Sequence, residues 1–545
     1  MISKAKALDY SKNYVALPKN YGTPAYFERG DVAAINDTVR ENLDTLDRHT
    51  GFIRKIRDRK VILKPNLVIA YHRIGFRDED YPQTTDPRVI DAVVHYLKQY
   101  TENIVIAESA GRGAPTRTVF KIMGVDRIAR FHGTALIALE EMPCKRYILP
   151  KAKVMKEIIV PELFSELAAG SAFYISLAKM KTNLYTGVTL GLKNAMGIIP
   201  YNLRQRNHNH ALDRKLVDML YLLRPGLVII DGIVGGEGNC PAPVFPVDSR
   251  LIISGTDSVE TDRAAARLMG FAPGEIHYIN IATQSGSADP DVRIIGDTEI
   301  IPFRKAEPSL LSENFTKEFS NIRVLIGREP AKGTRHLSAG EIVDEEKVKQ
   351  MEMACRGGCL ATLRFAFDMI KYEGFDVSFS LTVILGSGAR TAGKSTWFDR
   401  HGKPYTKEDI AALPEAKLAV GSCTAELSGV VNRYLEGCMP FPNAPHAAIH
   451  RLMGRRCKIT TLKNRYLPEF FIGTLRMRAA RRRQIKRGRY FDCEFQTEDR
   501  VVETRSLSQE EKKADVIPWD FPPMMPEIKK RLLRAERKET IDTFR

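Results

Sequence analysis

The sequence predicts an α/β protein of two domains with mostly parallel sheets, followed by a basic C-terminal helical tail. From about residue 58, short runs of β-branched residues alternate with segments of helical periodicity, which is typical of βαβ units. A second series of this kind begins at NIRVLIG (321–327), after a change in composition near residues 300–318. Because single cores stop growing near about 250–300 residues, a chain of 545 residues is expected to form more than one domain.

The first domain is expected to span residues 1–305. Asp86 and Pro87 form an N-cap and first-turn pair that begins a helix. Asp257, with Glu260 three residues later, is a capping-box variant for a helix that ends at Gly270. Apolar runs predict strands at 60–68, 103–109, 172–179, 227–232 and 250–255.

The second domain is expected to span residues 318–455, and a tail of different composition follows it over 456–545. The tail holds a basic segment, a proline-rich spacer (PWDFPPMMP, 518–526) and a final charged helix. In the second domain, a helix is expected after Gly340, and strands are expected at 321–327, 377–386 and 417–422.

The N-terminal residues carry no sign of a targeting segment. The start, MISKAKALDYSKNYVALP, lacks the apolar core of a signal peptide, and no run reaches the roughly 18 apolar residues of a membrane span. We therefore expect a soluble, cytoplasmic protein without a transmembrane segment. Thiols stay reduced in that compartment, so the eight cysteines are expected to be metal ligands, catalytic groups or core residues.

Polar and cationic residues follow the predicted strands of the first domain. Ligands bind outside the carboxyl ends of the strands in open α/β sheets, and converging Lys and Arg suit a small anionic substrate, a carboxylate or a phosphate. His208 and His210 are candidate acid–base groups near neutral pH. The alternative is that these are solvated charges at strand ends and structural histidines. We assign catalysis to Lys64, Lys193 and His208, and substrate binding to Asn66, Thr85, Lys181 and Arg204.

Six segments of the first domain carry a family resemblance. They are KPNL, TTDPRVIDAV, IVIAESAGRG, ISLAKMKTNLYTGVTLGLKNAMGIIP, VIIDGIVGGEG and ISGTDSVETDRAAARLMG. Over residues 58–300 the chain resembles domain of unknown function 362, whose members are often linked to iron–sulfur domains. That family looks distantly similar to the lactate racemase fold, in which a lysine anchors a nickel-pincer cofactor. The resemblance implies that Lys193 occupies the comparable segment and leaves a second cofactor there open. Asn183 stands where many members have a histidine.

Four of the cysteines lie in glycine-rich surroundings in the second half of the chain. A cubane cluster needs four thiolates from different loops, with small residues where the backbone passes close to the sulfides. Cys355, Cys359, Cys423 and Cys438 are accompanied by Gly357, Gly358, Gly421 and Gly437. Structural zinc and ordinary reduced cysteines are the alternatives, since tetrahedral thiolate sites also fit zinc. The other cysteines, 144, 240, 457 and 493, show no spacing relation and are expected to be packing residues.

Residues 320–455 resemble the cluster domain of the nickel–iron hydrogenase small subunit and its relative in respiratory complex I. The features in common are a close cysteine pair, LPEAKLAVGSC and the loop Gly437-Cys438-Met439-Pro440. The resemblance implies a flavodoxin-like unit that holds one [4Fe-4S] cluster through Cys355, Cys359, Cys423 and Cys438. The chain departs from the pattern in the C-x3-C spacing of the first pair and in Met439, which replaces a proline.

Two further motifs lie in the second half of the chain. GARTAGKS (388–395) satisfies the phosphate-loop pattern, but STWFDRHGKPYT follows it, which predicts a loop where that site needs a helix. Residues 451–490 hold 14 Lys or Arg and one acid, Glu469, and their core is 476–489. This basic segment suits an acidic ferredoxin-like electron donor, an anionic lipid surface or nucleic acid. No nucleic-acid fold signature or interleaved aromatics accompany it, and a merely solvated basic helix is the alternative.

The sequence thus predicts an enzyme, an iron–sulfur oxidoreductase in which electrons enter through one [4Fe-4S] cluster and reach a small anionic substrate. One alternative is a non-redox isomerase, racemase or lyase of a small carboxylate. Another is a nucleic-acid-binding or membrane-associated protein.

Overall fold

The structure is a computed structural model that describes most of the chain in segments. It describes residues 1–5, 16–57, 59–68, 82–111, 114–199, 204, 208, 211–289, 291–327, 351–352, 356–391, 394–437, 439–440, 443–455 and 467–486. These residues form two large sheets with helices packed against them. The predicted α/β class is therefore confirmed.

The strands of the first domain form one large, mostly parallel sheet and a separate two-stranded ribbon. The large sheet has the order β1-β11-β9-β7-β2-β3-β4, with β8 beside β7 and β10 beside β9, and β5 pairs with β6 in the ribbon. The five neighbouring strands β9, β7, β2, β3 and β4 pair in parallel. Strand β11 pairs antiparallel with β9, and β1 pairs antiparallel with β11. The described strands are β1 (Ile2–Lys4), β2 (Lys60–Pro65), β3 (Ile104–Glu108), β4 (Ala135–Ala138), β5 (Cys144–Ile148), β6 (Glu157–Pro161), β7 (Ala172–Asn183), β8 (Gly187–Thr189), β9 (Leu227–Glu237), β10 (Phe245–Val247) and β11 (Leu251–Gly255).

Two central strands are longer than their apolar runs. The strands β7 and β9 continue past residues 179 and 232 because polar side chains inside the sheet find buried partners. Lys179 and Asp231, which are opposite each other in the parallel pair, form a fully buried ion pair with Nζ and Oδ2 2.9 Å apart. This extension carries Lys181 into the protein interior, where it is 1% exposed.

Helices cover both faces of the first sheet, and two of the expected helix starts are present. Asp86 accepts the N–H of Arg88, and Asp257 accepts the N–H groups of Val259 and Glu260. The described helices here are α1 (Pro24–Phe27), α2 (Gly30–Thr50), α3 (Phe52–Ile56), α4 (Pro87–Leu97), α5 (Thr116–Met123), α6 (Val125–Phe131), α7 (Ser165–Ala168), α8 (Gly191–Asn194), α9 (Leu212–Asp218), α10 (Leu220–Leu223), α11 (Ser258–Leu268) and α12 (His277–Gln284).

The second sheet has a parallel centre and an antiparallel edge. Its order is β14-β15-β12-β13-β17-β18, and β12, β13, β17 and β18 pair in parallel. The helix expected after Gly340 lies outside the described residues, and the flavodoxin-like assignment remains a prediction. The described elements are β12 (Ile322–Ile326), β13 (Leu381–Leu385), β14 (Ala389–Thr391), β15 (Lys394–Phe398), β16 (Pro404–Tyr405), β17 (Ala416–Val420), β18 (Arg433–Leu435), and the helices α13 (Glu313–Glu318), α14 (Ala361–Tyr372), α15 (Lys407–Ala412), α16 (Asn443–Leu452) and α17 (Leu467–Lys486).

The phosphate-loop pattern lies on a hairpin. Strand β15 pairs antiparallel with β14, with Thr391 opposite Lys394. The residues after Gly393 therefore continue as the strand β15, where we expected a loop, and not as the helix that a phosphate loop requires. The interpretation that GARTAGKS is not a phosphate loop is consistent with this geometry.

The two sheets share one continuous hydrophobic core. Apolar side chains of the segment near 300–318, where the composition changes, are buried. Phe303, Leu310, Leu311 and Phe315 all belong to the cluster that also holds residues of both sheets. This packing holds the first domain against the second, so residues of both domains can contribute to one site.

The basic helix α17 lies on the first domain. The backbone carbonyl of Glu469 accepts from Thr118, and the Glu469 carboxylate pairs with Lys121 at 2.7 Å. Gly473 permits this close packing, because a Cβ there would lie 2.0 Å from Thr118 Oγ1. No helix in the described part of the chain has the length and hydrophobicity that crossing a membrane requires.

Candidate functional site

Lys64 is a buried cation at the carboxyl end of β2. Its Nζ lies 3.0 Å from Glu108 Oε2 and 2.8 Å from Asn194 Oδ1. Burial lowers the pKa of Lys64, and the charge of Glu108 opposes that change. Gly197 packs directly against this group of side chains, because a Cβ there would lie 2.4 Å from Glu108 Oε1 and 2.6 Å from Lys64 Nζ. Lys64 is therefore a partnered charge at the base of the site.

Asn66 connects the lysines of neighbouring strands. Its Nδ2 donates to Asn194 Oδ1 at 3.1 Å, and its Oδ1 accepts from Lys181 at 3.0 Å. Thr85 holds Asn66 in place, because its Oγ1 accepts the Asn66 backbone N–H at 2.9 Å and donates to the Leu177 carbonyl. Thr85 thus positions the amide of Asn66, which contacts Lys181 directly and is connected to Lys64 through Asn194 Oδ1.

Lys181 is buried among neutral hydrogen-bond partners. Its Nζ donates to Asn66 Oδ1, to Gln83 Oε1 at 3.1 Å and to the Gln83 backbone carbonyl. Burial lowers the pKa of Lys181 to about 7, and the charges of Lys179 and Lys193 act in the same direction, although Cys240 acts against it. In the described part of the chain, Lys181 makes no ion pair with a carboxylate. Lys179, two residues earlier, has Asp231, so the two lysines of β7 are electrostatically distinct.

The short helix α8 fixes the backbone that carries Lys193. The Asp262 carboxylate accepts the N–H groups of Gly191 at 2.7 Å and Leu192 at 3.0 Å. A Cβ on Gly191 would lie 2.8 Å from Asp262 Oδ1, so a larger residue there would force the two elements apart. Burial raises the pKa of Asp262 to about 7 against the effect of these N–H donors. The sequence gives no hint that Asp262 supports the Lys193 segment.

Lys193 and His208 form a close pair in a dry environment. Lys193 Nζ lies 3.2 Å from His208 Nε2 and 5.6 Å from the centre of the Tyr185 ring. Burial lowers the pKa of Lys193 to about 7. Burial, together with the charge of Lys193, holds the pKa of His208 well below its usual value. At neutral pH the imidazole is therefore neutral and accepts from an ammonium group that is close to losing its proton.

Arg204 ties several loops of the site together through backbone carbonyls. Its guanidinium donates to Ala110 at 3.0 Å, to Ser109 at 2.6 Å, and to Gly197 and Ile199 at longer distances. Burial lowers its pKa, and its charge in turn lowers the pKa values of Lys64, Lys193 and His208. Arg204 therefore lies among the predicted site residues and contributes positive potential, while most of its donors are engaged by the backbone.

The buried positive charge of this site favours the binding of an anion. Buried cations are costly unless a negative charge or strong hydrogen bonds compensate for the lost water. Lys181 and Lys193 have only neutral partners within hydrogen-bond distance among the described residues, and the charge of Asp213 acts on Lys193 from farther away. A carboxylate or phosphate beside them would restore their charged state and raise their pKa values.

Two of the four candidate ligand cysteines are described, and they converge. Cys359 Sγ and Cys423 Sγ lie 3.0 and 3.3 Å from the position that a Cβ on Gly421 would take. Gly421 has a φ of 101°, a conformation that strongly favours glycine, so both the backbone and the space require this residue. Cys355 and Cys438 lie outside the described residues. Gly437, which precedes Cys438, is held to the Cys423 loop by two hydrogen bonds between its backbone and Ser422.

A threonine beside Cys359 connects the cysteine loops. Thr362 Oγ1 lies 3.0 Å from the Gly358 carbonyl and 3.2 Å from Met439 Sδ. Met439, the residue that departs from the hydrogenase pattern, thus has a specific contact at this position. Two thiols with a glycine clearing space between them are compatible with iron–sulfur or zinc ligation, and the [4Fe-4S] assignment remains a prediction.

Tyr185 lies between the cysteine site and the group formed by Lys64, Lys181, Lys193, Arg204 and His208, which is named the cationic pocket from here on. Its hydroxyl lies 3.4 Å from Thr362 Oγ1, and its ring meets the His208 ring edge-on at 4.4 Å between centroids. Burial raises the pKa of Tyr185 to about 12, and the charge of Cys359 adds to this. Asn183 shapes the turn that presents Tyr185, since its Oδ1 accepts the N–H groups of Tyr185 and Thr186.

The sequence indicated the cations but missed several groups around them. Glu108 and Tyr185 both lie in segments that carry the family resemblance, but the sequence analysis assigned neither residue a role. His210 lies outside the described residues. Of the cysteines expected to pack, Cys144 and Cys240 are buried, and burial raises the pKa of Cys240 to about 11. The pair His446 and His450, four residues apart, was a signal that the sequence reasoning did not use.

Comparison with known proteins covers the first domain. Thylakoid-associated protein sll1697 from Synechocystis sp. is 27% identical over 256 residues, which cover 46% of this chain and 74% of that protein. No solved structure gives a significant match. Residues 61–267 match the family described as domain of unknown function, DUF362. The resemblance of the N-terminal domain to the DUF362 family, carried by its six sequence segments, is thereby confirmed.

Proposed function

We propose that the chain is an iron–sulfur oxidoreductase that acts on a small anionic substrate, a carboxylate or a phosphate. The observation that carries the proposal is the position of Tyr185, which contacts Thr362 next to Cys359 on one side and His208 on the other. Two kinds of site, a thiol site and a buried cationic pocket, therefore meet at one side chain.

The cationic pocket supplies binding and protons. Lys181 and Lys193 would hold the anionic group, since neither ammonium has a carboxylate within ion-pair distance among the described residues. Lys193 would also hold a proton next to His208 Nε2, and its pKa of about 7 allows it to release that proton at neutral pH. Lys64 and Asn66 would keep the two strands in register beneath the substrate.

The cysteine loops would hold the electron carrier. Cys359 and Cys423, with Cys355 and Cys438, would bind one [4Fe-4S] cluster, which supplies or accepts one electron at a time. Gly421 provides the clearance that sulfides need beside the backbone. The basic helix α17 would attract an acidic ferredoxin-like electron donor through complementary charge.

Anaerobic purification of the full chain, followed by iron and acid-labile sulfide analysis, tests the cluster. We expect iron and sulfide in equal amounts, close to four of each per chain for a cubane. A colourless protein with stoichiometric zinc, or with no metal, would contradict the proposal.

Thermal unfolding with added acetate or inorganic phosphate tests the pocket separately. We expect either anion to raise the unfolding temperature of the wild type, and to do so less in Lys193→Gln than in the exposed control Lys407→Gln. An equal shift in all three proteins would remove the pocket from the proposal while leaving the cluster intact.

A second candidate function is a non-redox isomerase, racemase or lyase of a small carboxylate. The pair Lys193 and His208 favours it, because two groups with lowered pKa values 3.2 Å apart suit removal and return of a substrate proton. Exchange of substrate protons in deuterated water without a reductant would support this function. Strict dependence on a reductant would count against it.

A third candidate is association with an anionic surface through α17. Three apolar side chains of this basic helix are exposed, Phe471 by 66%, Ile472 by 44% and Leu475 by 50%. The relative from Synechocystis sp. carries the name thylakoid-associated. A helix that combines exposed apolar and basic residues suits a membrane surface better than nucleic acid, which would call for stacking aromatics along the helix. Sedimentation with vesicles tests this candidate.

A further inference from the structure

A second group of metal-ligating side chains lies in the C-terminal domain, apart from the cysteines. His446 and His450 are one turn apart on α16, and Glu373 follows the last residue of α14, the helix against which α16 packs. All three side chains are 0% exposed. Two imidazoles and a carboxylate are common ligands of zinc and related divalent ions.

The distances between the nitrogen and oxygen atoms of the three groups are close to the ligand–ligand distances of a tetrahedral site. His446 Nε2 lies 3.4 Å from Glu373 Oε1, His450 Nε2 lies 3.1 Å from Glu373 Oε2, and the two Nε2 atoms are 3.2 Å apart. Ligands about 2.0–2.1 Å from a tetrahedral zinc ion are about 3.3–3.4 Å from one another. An ion placed between the two Nε2 atoms and the Glu373 carboxylate would therefore contact all three groups with little movement.

Hydrogen bonds among the described residues do not account for every buried nitrogen of this group. The two Nε2 atoms face each other, so at most one proton lies between them. His450 Nδ1 is buried and has no hydrogen-bond partner among the described residues. The imidazole is held instead by the Phe375 ring, edge-on at 4.9 Å between centroids.

We propose that Glu373, His446 and His450 bind a zinc ion that fastens α16 to the end of α14. The site uses nitrogen and oxygen ligands, so it is chemically distinct from the thiol site of Cys359 and Cys423. A bound divalent cation would also offset the buried carboxylate of Glu373. Because α16 follows the loop that contains Gly437 and Met439, the ion would stabilise the helix next to the cysteine loops.

Zinc retention in the full-length chain tests the proposal. The protein is stripped with a chelator, reloaded with Zn²⁺ alone, dialysed and analysed. We expect His446→Gln, His450→Gln and Glu373→Gln each to retain one zinc ion per chain fewer than the wild type. The exposed-site variant His49→Gln should match the wild type, and Cys359→Ser should keep the zinc that the histidine variants lose. Equal zinc in the wild type and in all three ligand variants would overturn the proposal.

X-ray absorption at the zinc edge keeps the test decisive even where a variant fails to fold. It uses the wild-type chain only. A component with nitrogen and oxygen neighbours and without sulfur would support the site. Zinc surrounded solely by sulfur, or a wild-type chain that retains no zinc, would contradict it.

Discussion

The Tyr185 hydroxyl lies 3.4 Å from Thr362 Oγ1, and this contact joins the cationic pocket of one domain to the cysteine loops of the other. Thr362 is the second residue of α14 and follows Cys359 by three positions. Its hydroxyl has three neighbours, Tyr185, the Gly358 carbonyl and Met439 Sδ. A single side chain thus supports the geometry between the two sites.

Removing the Thr362 hydroxyl should loosen the cysteine site. In Thr362→Val the Gly358 carbonyl and Met439 lose a buried donor, which costs about 1–3 kcal/mol locally. We expect faster loss of cluster iron to a chelator, measured as decay of the visible absorption, with the starting iron content near that of the wild type.

The matched control is Thr382→Val, which removes another fully buried hydroxyl, one that donates to Glu415 away from the cysteines. This variant should be destabilised by a similar amount but should lose iron at the wild-type rate. Equal iron loss in both variants would show that Thr362 acts only through global stability.

Replacing Lys193 should make stability less dependent on pH. The folded-state pKa of Lys193 is about 7, whereas an unfolded lysine titrates near 10.5, so the unfolded chain binds more protons between these values. Stability of the wild type therefore rises with pH in this window, and below pH 7 the full cost of the buried charge is present. In Lys193→Met that cost is gone at every pH.

We expect the advantage of Lys193→Met over the wild type in free energy of unfolding to shrink by about 2 kcal/mol from pH 7 to pH 9. Denaturant unfolding at the two pH values measures it. The exposed control Lys407→Met should differ from the wild type by the same amount at both. A constant difference for Lys193→Met would mean that its ammonium is not desolvated in the native state.

Periodicity predicted the parallel sheets because strands buried on both faces are continuous apolar runs, as at 60–68 and 227–232. Periodicity underestimated the length of β7, because Lys179 and Lys181 have the pattern of solvated charges in the sequence. In the structure, Asp231 and Asn66 are their buried partners. Whether a charged side chain is buried depends on partners that are distant in sequence, and no local sequence pattern identifies those partners.

The candidate site, too, depends on partners that are distant in sequence. Lys64, Lys181, Lys193 and His208 were identified from their positions after strands, and the structure brings them into one electrostatically coupled group. Tyr185, in the turn between β7 and β8, and Glu108, at the end of β3, could not be identified from the sequence because their roles depend on contacts with Thr362 and Lys64, which are distant in the chain. His446 and His450 could have been, since a spacing of four places two side chains on one helix face.

The cysteines should separate into ligands and packing residues. Each cubane iron needs its thiolate. We therefore expect Cys355→Ala, Cys359→Ala, Cys423→Ala and Cys438→Ala each to lower bound iron and bleach the broad visible absorption. The same change at Cys144 or Cys240 should cost only packing, about 1–3 kcal/mol, and leave the colour intact.

Cys457 is the critical control for this series, because it follows Cys438 by 19 residues and could take its place as the fourth ligand. If Cys457→Ala bleaches the protein while Cys438→Ala does not, the hydrogenase-like assignment of the closing loop is wrong.

The exposed apolar residues of α17 should govern any attachment to anionic membranes. Phe471, Ile472 and Leu475 face outward while Gly473 and Met477 hold the helix against the protein, so changing the three exposed residues to Ser leaves the docking intact. We expect this triple variant to sediment less with phosphatidylserine vesicles than the wild type.

Arg478→Gln should weaken vesicle binding about fivefold, because each cation near the membrane surface contributes about 1 kcal/mol, and it should reduce the salt dependence of binding. Neutral phosphatidylcholine vesicles are the control. Sedimentation that is unaffected by both sets of changes would exclude α17 as the membrane-binding element.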